Sequence, residues 1–232
     1  MCLAGGIAIQ LLAEDGIYVG SHLLRIGKVE DRPLPLYPTR QLLVGLSRKV
    51  LPVLDDEARH RISLTGELAR QQGDSLGGII QAAAIGLPVG LGGPLFAGLE
   101  PRLAAVLMAI PAAKGIEFGA VFDSDRLRGS QNNDSFYRRY DGSIATVSNN
   151  CGGILGGMSN GMPLTQQIAF KPTPSIALEQ RTVDMVSGKE TFIQSKVRHD
   201  PCVALLCCPI MEAAMALVLA DMLMEARKTI CI

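Results

Sequence analysis

The apolar and polar positions of the chain predict a mixture of helices and strands. Residues 3–15 and 209–228 are apolar on most sides and predict helices, the first of them ending at Gly16. Residues 17–26 and 163–171 alternate in part between apolar and polar and predict strands. Helices and strands do not alternate strictly, so the pattern favours a layered α+β fold over a Rossmann fold.

A long stretch between these elements, residues 128–161, is polar and rich in glycine. It contains the segments RGSQNND and NNCGGILGGMSNG, and we expect it to be a loop. Loops of this length inside a compact domain are usually functional or disordered.

The most lipid-like part of the chain, residues 202–224, does not predict a membrane span. Pro209, Glu212 and Asp221 interrupt it, and an acid at the centre of a spanning helix costs about 2.5–3.5 kcal/mol. A buried helix of a soluble protein is the better interpretation. The first residues, MCLAGGIAIQLL, have no basic segment and no convincing cleavage site, so we expect a cytoplasmic protein.

Charge and cysteine content exclude several classes of function. The chain has 22 basic and 22 acidic residues, whereas nucleic-acid-binding proteins usually carry a basic excess. Six cysteines include no CxxC pair, and the three histidines are scattered, so we expect no metal site. We expect most thiols, including Cys207 and Cys208, in the core, and His22 and His60 at the surface.

Three polar segments could carry chemistry, although each has an ordinary structural interpretation. Residues 152–157 (GGILGG) allow close approach of a ligand or form a tight turn. Residues 171–175 (KPTPS) offer an ammonium, two hydroxyls and backbone N–H groups as a small phosphate cradle, or form an ordinary strand exit. Residues 198–201 (RHDP) form a compact acid–base cluster or a surface ion pair.

Seven ordered motifs together are more specific than any one of these segments. From about residue 3 to its end, the chain resembles the C-terminal part of chorismate synthase through the following segments: GDSLGG (73–78), GLPVGLGGPLF (86–96), IPAAKGIEFG (110–119), RGSQNND (128–134), GGILGGMSNGMP (152–163), KPTPSI (171–176) and RHDPCV (198–203).

The resemblance implies a fold, a cofactor and a reaction. It implies one domain over residues 1–232, in which a helical layer lies between two antiparallel sheets, incomplete here because the N-terminal portion is absent. It implies a cytoplasmic homotetramer in the complete family member. It also implies fully reduced FMN, with NADPH only as an indirect reductant, and a 1,4-anti elimination of phosphate from 5-enolpyruvylshikimate 3-phosphate to chorismate.

The resemblance also implies roles for single residues. Asp200 matches a catalytic carboxylate expected near the flavin N5, where it would steer proton transfer. The positions that match cofactor-binding residues of the family are Pro111, Ala112, Gly156, Lys171, Pro172, Thr173, Pro174, Ser175 and Arg198.

Several departures from the family pattern favour a second interpretation. Val121 and Val197 stand where the family usually has glycine, and Leu206 replaces an arginine expected to bind the anionic substrate. The family motifs FGESHG, RPGHAD and GGGRSSARET, which supply two catalytic histidines and most substrate-binding arginines, do not occur. The chain is therefore either part of a chorismate synthase or an inactive truncated homologue that acts at most as a flavin-binding or assembly module. An unrelated small-molecule-binding domain is a third, more remote alternative.

Overall fold

A computed structural model describes residues 1–195 and 200–230, and its elements begin and end as follows. The helices are α1 (Cys2–Glu14), α2 (Arg40–Ser47), α3 (Asp56–Gln71), α4 (Leu99–Leu107), α5 (Val121–Ser124), α6 (Gly129–Asn132) and α7 (Cys208–Ile230). The strands are β1 (Tyr18–Ile26), β2 (Val29–Glu30), β3 (Gly78–Ile85), β4 (Ala113–Phe118), β5 (Phe136–Arg138), β6 (Ile144–Thr146), β7 (Ile154–Leu155), β8 (Met158–Ser159), β9 (Leu164–Phe170), β10 (Gln180–Val183) and β11 (Glu190–Ile193).

The central element is an antiparallel sheet with the strand order β2-β1-β3-β9-β4. Its register pairs Gly78, the first residue of β3, with Phe170, the last residue of β9. Ala113 at the start of β4 also pairs with Phe170. Segments that are distant in sequence, residues 73–77, 111–112 and 171–175, therefore leave the sheet at the same end.

Helices α1, α4 and α7 cover one face of this sheet and form the main core with it. α1 and α7 run side by side in the same direction, since Gly5 lies against Ala213 and Asp15 forms an ion pair with Arg227. The all-round apolar pattern of α7 is explained by this position, because the helix contacts α1, α4 and the sheet. α2 packs on the opposite face, where Leu43 lies against Gly20.

Most of the predicted elements are confirmed. The helices expected at 3–15 and 209–228 are α1 and α7, and the strands expected at 17–26 and 163–171 are β1 and β9. The α+β class is confirmed as well. The polar stretch 128–161 is more ordered than expected, because it contains α6 and the hairpins β5–β6 and β7–β8. In the described part of the chain, one five-stranded sheet lies against the helical layer, and the other strands form two-stranded hairpins.

The expectation that His22 lies at the surface was wrong. Its side chain is fully buried on β1 because α2 and the loop that precedes it cover this face of the sheet. The ring nitrogens lie 3.0 Å from Asp31 Oδ2 and 3.0 Å from Gln81 Oε1, and the N–H of Leu34 also donates to Gln81 Oε1. His22 therefore cross-links β1, β3 and the loop that follows β2. His60 is exposed, as expected.

The expected burial of the thiols is confirmed for Cys202, Cys207 and Cys208. Burial raises the pKa of Cys207 to about 11 and that of Cys208 to about 12, so both are protonated at neutral pH.

None of the helices among the described residues is long and apolar enough to cross a membrane.

Two adjacent glycines of α1 provide a matched test of how this helix packs. A Cβ on Gly5 would overlap the backbone and Cβ of Ala213, whereas a Cβ on Gly6 would meet nothing within 4 Å. We expect Gly5→Ala to destabilise the fold by about 2 kcal/mol through overpacking, and Gly6→Ala to stabilise it by about 0.5–1 kcal/mol through helix propensity. Urea denaturation of both variants checks this, and equal effects of the two substitutions would contradict the packing described here.

Candidate functional site

A cavity of about 280 Å³ lies at the end of the sheet where β3 begins and β9 ends. Three segments of the chain and the end of α3 meet around it. The lining side chains with polar groups are Arg70, Asp74, Ser75, Thr173, Ser175 and Asp200. Two of the three segments singled out by their residue types, KPTPS and RHDP, thus contribute to one cavity together with the GDSLGG motif.

Hydrogen bonds connect the three segments. Ser75 Oγ donates to the carbonyl of Thr173 at 2.6 Å, and the N–H of Leu76 donates to the carbonyl of Pro201 at 2.7 Å. Thr173 Oγ1 donates to the carbonyl of Asp200 at 3.4 Å. A Cβ on Gly77 would lie 2.7 Å from the carbonyl oxygen of Phe170, so the close crossing of the strands requires glycine there. The geometry of the cavity therefore depends on the GDSLGG motif.

The KPTPS segment has unused backbone donors in residues that line this cavity. The backbone N–H groups of Thr173 and Ser175 make no hydrogen bond with another described residue. Pro172 and Pro174 have no N–H groups, and their rings fix the backbone that carries the other two. Such a segment can donate two backbone hydrogen bonds and one from the Ser175 hydroxyl to an acceptor-rich ligand, since the Thr173 hydroxyl already donates to Asp200.

Lys171 and Ala112 lie together beside the cavity. The N–H of Lys171 donates to the carbonyl of Ala112 at 2.9 Å, which also brings the adjacent Pro111 to this end of the sheet. Ala112 has a φ of 69°, a left-handed conformation that is uncommon for a residue other than glycine. Strained backbone of this kind is concentrated at ligand-binding sites. The exposed ammonium of Lys171 forms no ion pair with the described residues.

Gly156 does not line this cavity. It lies in the turn between β7 and β8 with a φ of 59°, and a Cβ there would have open space around it. The adjacent Gly157 is the sterically constrained member of the pair, because a Cβ there would overlap the carbonyl of Gly93. Arg198 lies outside the described residues. Of the predicted site residues, Thr173, Ser175 and Asp200 line the cavity, Lys171 and Ala112 lie beside it, and Gly156 lies apart.

Arg70 is a cavity residue that the sequence analysis missed. Its guanidinium forms a bidentate pair with Glu67, with Nε 2.8 Å from Oε2 and Nη2 2.6 Å from Oε1. The hydrogen bonds from Arg70 lower the pKa of Glu67 to about 2, and the pair raises the pKa of Arg70. The i, i+3 spacing of Glu67 and Arg70 was visible in the sequence, but it is also the spacing of any helix-surface ion pair.

The RGSQNND and NNCGG motifs have a structural role in holding their loop together. Asp134 accepts hydrogen bonds from Ser148 Oγ at 2.7 Å and from the N–H groups of Asn150 and Cys151 at 2.8 and 2.9 Å. Burial works to raise the pKa of Asp134, but these hydrogen bonds lower it overall, so the carboxylate remains charged. This loop in turn lies against Gly119, where a Cβ would overlap the carbonyl of Asn150.

Leu206, one of the departures from the family pattern, lines a second, smaller cavity. Leu206 is 61% exposed, whereas the next two residues, Cys207 and Cys208, are buried. With Lys49 and Glu212, Leu206 lines a cavity of about 180 Å³ whose remaining walls are mostly apolar. No guanidinium is present at this position of the chain.

Fold and cavity together define an α+β protein with a cavity at one end of its five-stranded antiparallel sheet. The family model described as chorismate synthase matches residues 1–224. The chain therefore belongs to the chorismate synthase family.

Known relatives give the extent of the similarity. The chain is 43% identical over 224 residues to the chorismate synthase of Pyrococcus abyssi and 42% identical over 224 residues to that of Dehalococcoides mccartyi, in each case over 97% of this chain. A crystal structure of chorismate synthase superposes with a TM-score of 0.77 at 27% identity, covering 96% of this chain and 61% of that structure. The chain spans about 60% of the length of the curated relatives it matches.

Proposed function

We propose that this chain is the flavin-binding, C-terminal part of a chorismate synthase. The complete protein would bind reduced FMN and eliminate phosphate from 5-enolpyruvylshikimate 3-phosphate to give chorismate, a step of the shikimate pathway to the aromatic amino acids. The observation that carries this proposal is the meeting of Thr173, Ser175 and Asp200 around one cavity in a chain of this family. NADPH would act only indirectly, as a source of electrons for the flavin.

The residues around the cavity fit part of an FMN molecule. The cavity has a volume of about 280 Å³, slightly below the range of about 300–1,000 Å³ that is usual for small-molecule sites. We therefore assign to it one part of the cofactor and not the whole molecule. The N–H groups of Thr173 and Ser175 and the ammonium of Lys171 supply donors for phosphate or ring oxygens. The backbone of Pro111 and Ala112 would approach the flavin from the start of β4.

Asp200 is the residue to which we assign the proton-directing role. Bound reduced FMN would supply electron density for the departure of phosphate and, at N5, a position for the ring proton. The carboxylate of Asp200 would hold this proton at N5 by accepting a hydrogen bond from it. The backbone of Asp200 is positioned by Thr173 Oγ1, and the next residue, Pro201, is held by the N–H of Leu76.

We further propose that the complete protein is a cytoplasmic homotetramer that acts on a small-molecule substrate and has no nucleic-acid or membrane partner. Membership of the family supports this assembly. The balance of 22 basic and 22 acidic residues supports the lack of a nucleic-acid partner. We also retain Gly156 and Arg198 as proposed cofactor-binding positions. Arg198 lies outside the described residues, and a tetramer can bring Gly156 of one chain to the cavity of another.

One observation favours the alternative, an inactive homologue that only binds flavin or assists assembly. The exposed Leu206 lies where the family motif has an arginine, and an aliphatic side chain cannot form the bidentate hydrogen bonds that hold a phosphate or carboxylate. Flavin binding is common to both interpretations, whereas turnover separates them.

We expect the purified chain to bind reduced FMN and Lys171→Gln to weaken this binding about tenfold. The loss corresponds to one charge-assisted hydrogen bond of about 1.5 kcal/mol. Anaerobic titration followed by flavin fluorescence measures the dissociation constant, with Lys28→Gln, an exposed lysine in the turn between β1 and β2, as the control. Failure of the unaltered chain to bind FMN would refute the proposed function, and equal affinity of Lys171→Gln would refute the role of Lys171.

A further inference from the structure

We propose that Arg70 is a further cofactor-binding residue, which binds the phosphate group of the flavin and so sets a preference for FMN over riboflavin. This inference rests on the proposed function, because it assigns one part of the flavin to one side of the same cavity. Neither the motifs nor the residue matches to the family had indicated a role for Arg70.

Arg70 is one of the residues that line the cavity. It lies in the last turn of α3, and Thr173 and Ser175 line the same cavity. Among the described residues that line the cavity, it is the one cation. Its side chain is 57% exposed, so a ligand can reach it from solvent.

Glu67 fixes the orientation of this guanidinium before any ligand arrives. It occupies Nε and Nη2 of Arg70, while Nη1 has no partner among the described residues. Gln71 Nε2 donates to Glu67 Oε1 at 2.9 Å and so holds the carboxylate in turn. An arginine that is already held in place loses less side-chain entropy when it binds a phosphate, and its planar donor group matches the phosphate oxygens.

The negative charges that line the cavity make a further cationic donor favourable for phosphate binding. Asp74 and Asp200 line the same cavity and would repel a phosphate group. The N–H groups of Thr173 and Ser175 supply hydrogen bonds but no full charge. Arg70 is paired with Glu67 and so does not cancel the charges of Asp74 and Asp200, but its free Nη1 can donate a charge-assisted hydrogen bond to a phosphate oxygen.

An ordinary ion pair on the surface of a helix is the simplest competing explanation, and the same helix provides a control for it. Arg59 forms an i, i+3 pair with Asp56, with Nη2 and Oδ1 3.3 Å apart, away from the cavity. Arg59→Gln removes a comparable pair from α3 without touching the proposed site. Any general effect of losing such a pair on the helix will appear in both variants.

The test compares the affinities of Arg70→Gln, Arg59→Gln and the unaltered chain for reduced FMN and reduced riboflavin. We expect Arg70→Gln to weaken FMN binding about 10- to 100-fold and riboflavin binding less than threefold, and Arg59→Gln to change neither. Retained riboflavin binding also shows that the Arg70 variant is folded. Unchanged FMN affinity, or equal losses for the two flavins, would overturn the inference while leaving the proposed function intact. A chain that binds neither flavin before substitution would overturn the proposed function itself.

Discussion

The purified 232-residue chain is expected to form chorismate at least about 10⁴-fold more slowly than a complete relative. Positioned acid–base groups typically contribute about 10²–10⁴-fold each, and the motifs that supply two histidines in the family do not occur in this sequence. The resemblance implies an anion-binding arginine where Leu206 stands, and an aliphatic side chain cannot replace it. Binding of flavin alone does not replace these contributions.

An anaerobic assay with reduced FMN and 5-enolpyruvylshikimate 3-phosphate measures this rate. The chorismate synthase of Pyrococcus abyssi, 43% identical to this chain, is a suitable complete reference. Asp200→Asn in the present chain should cause no further measurable loss, because its role requires a bound substrate. Turnover within about a hundredfold of the reference, abolished by Asp200→Asn, would show that the 232 residues contain a working active site.

Replacing Glu212 by Gln is expected to stabilise the fold at pH 8 by about 3 kcal/mol and to have almost no effect at pH 4. Burial raises the pKa of Glu212 from 4.5 to about 7, although Ser21 donates to its Oε1 from both N–H and Oγ, at 2.8 and 2.7 Å. Below pH 4.5 the folded and unfolded states both hold the proton. As pH rises from 4.5 to 7 the unfolded state ionises first, and stability falls by about 1.4 kcal/mol per pH unit.

Glutamine keeps an acceptor oxygen for Ser21 but cannot ionise, so it removes this loss. Denaturant unfolding at a series of pH values gives the difference in free energy between Glu212→Gln and the unaltered chain. Glu179→Gln, at an exposed position, is the control and should show no pH-dependent difference. The raised pKa of Glu212 predicts that the gain in stability of Glu212→Gln over the unaltered chain is larger at pH 8 than at pH 4. An equal gain at the two pH values, or a smaller one at pH 8, would contradict it.

The same residue illustrates what could be predicted from sequence. Glu212 stood out as an acid within an apolar stretch, and this was sufficient to favour a buried helix over a membrane span. Its partner Ser21 lies 191 residues away on β1, so no local pattern indicated that the carboxyl accepts hydrogen bonds from a strand. The expectation that His22 is exposed was wrong for the same reason, because its burial depends on Gln81 of another strand and on the loop that contains Asp31.

Residue types and the order of the motifs indicated more of the candidate site than the spacing of residues within any one segment did. The chemistry of Lys171–Ser175 and Asp200 was visible in their residue types, and the ordered motifs predicted that they act together. Their placement around one cavity results from the register that pairs Gly78 with Phe170, a contact between residues 92 positions apart. Arg70 was missed because its pairing with Glu67 looks like any surface pair until α3 is seen to end at the cavity.

The central claim is that the flavin binds in the cavity where β3 begins and β9 ends. The most direct test is to titrate the nitrogen-15-labelled chain with FMN and to follow the NMR shifts of its backbone amides. The account predicts that the largest shifts fall on the amides of Thr173, Ser175 and Asp200, whose segments meet there. Saturable shifts confined to other parts of the chain, with these three amides unchanged, would contradict it.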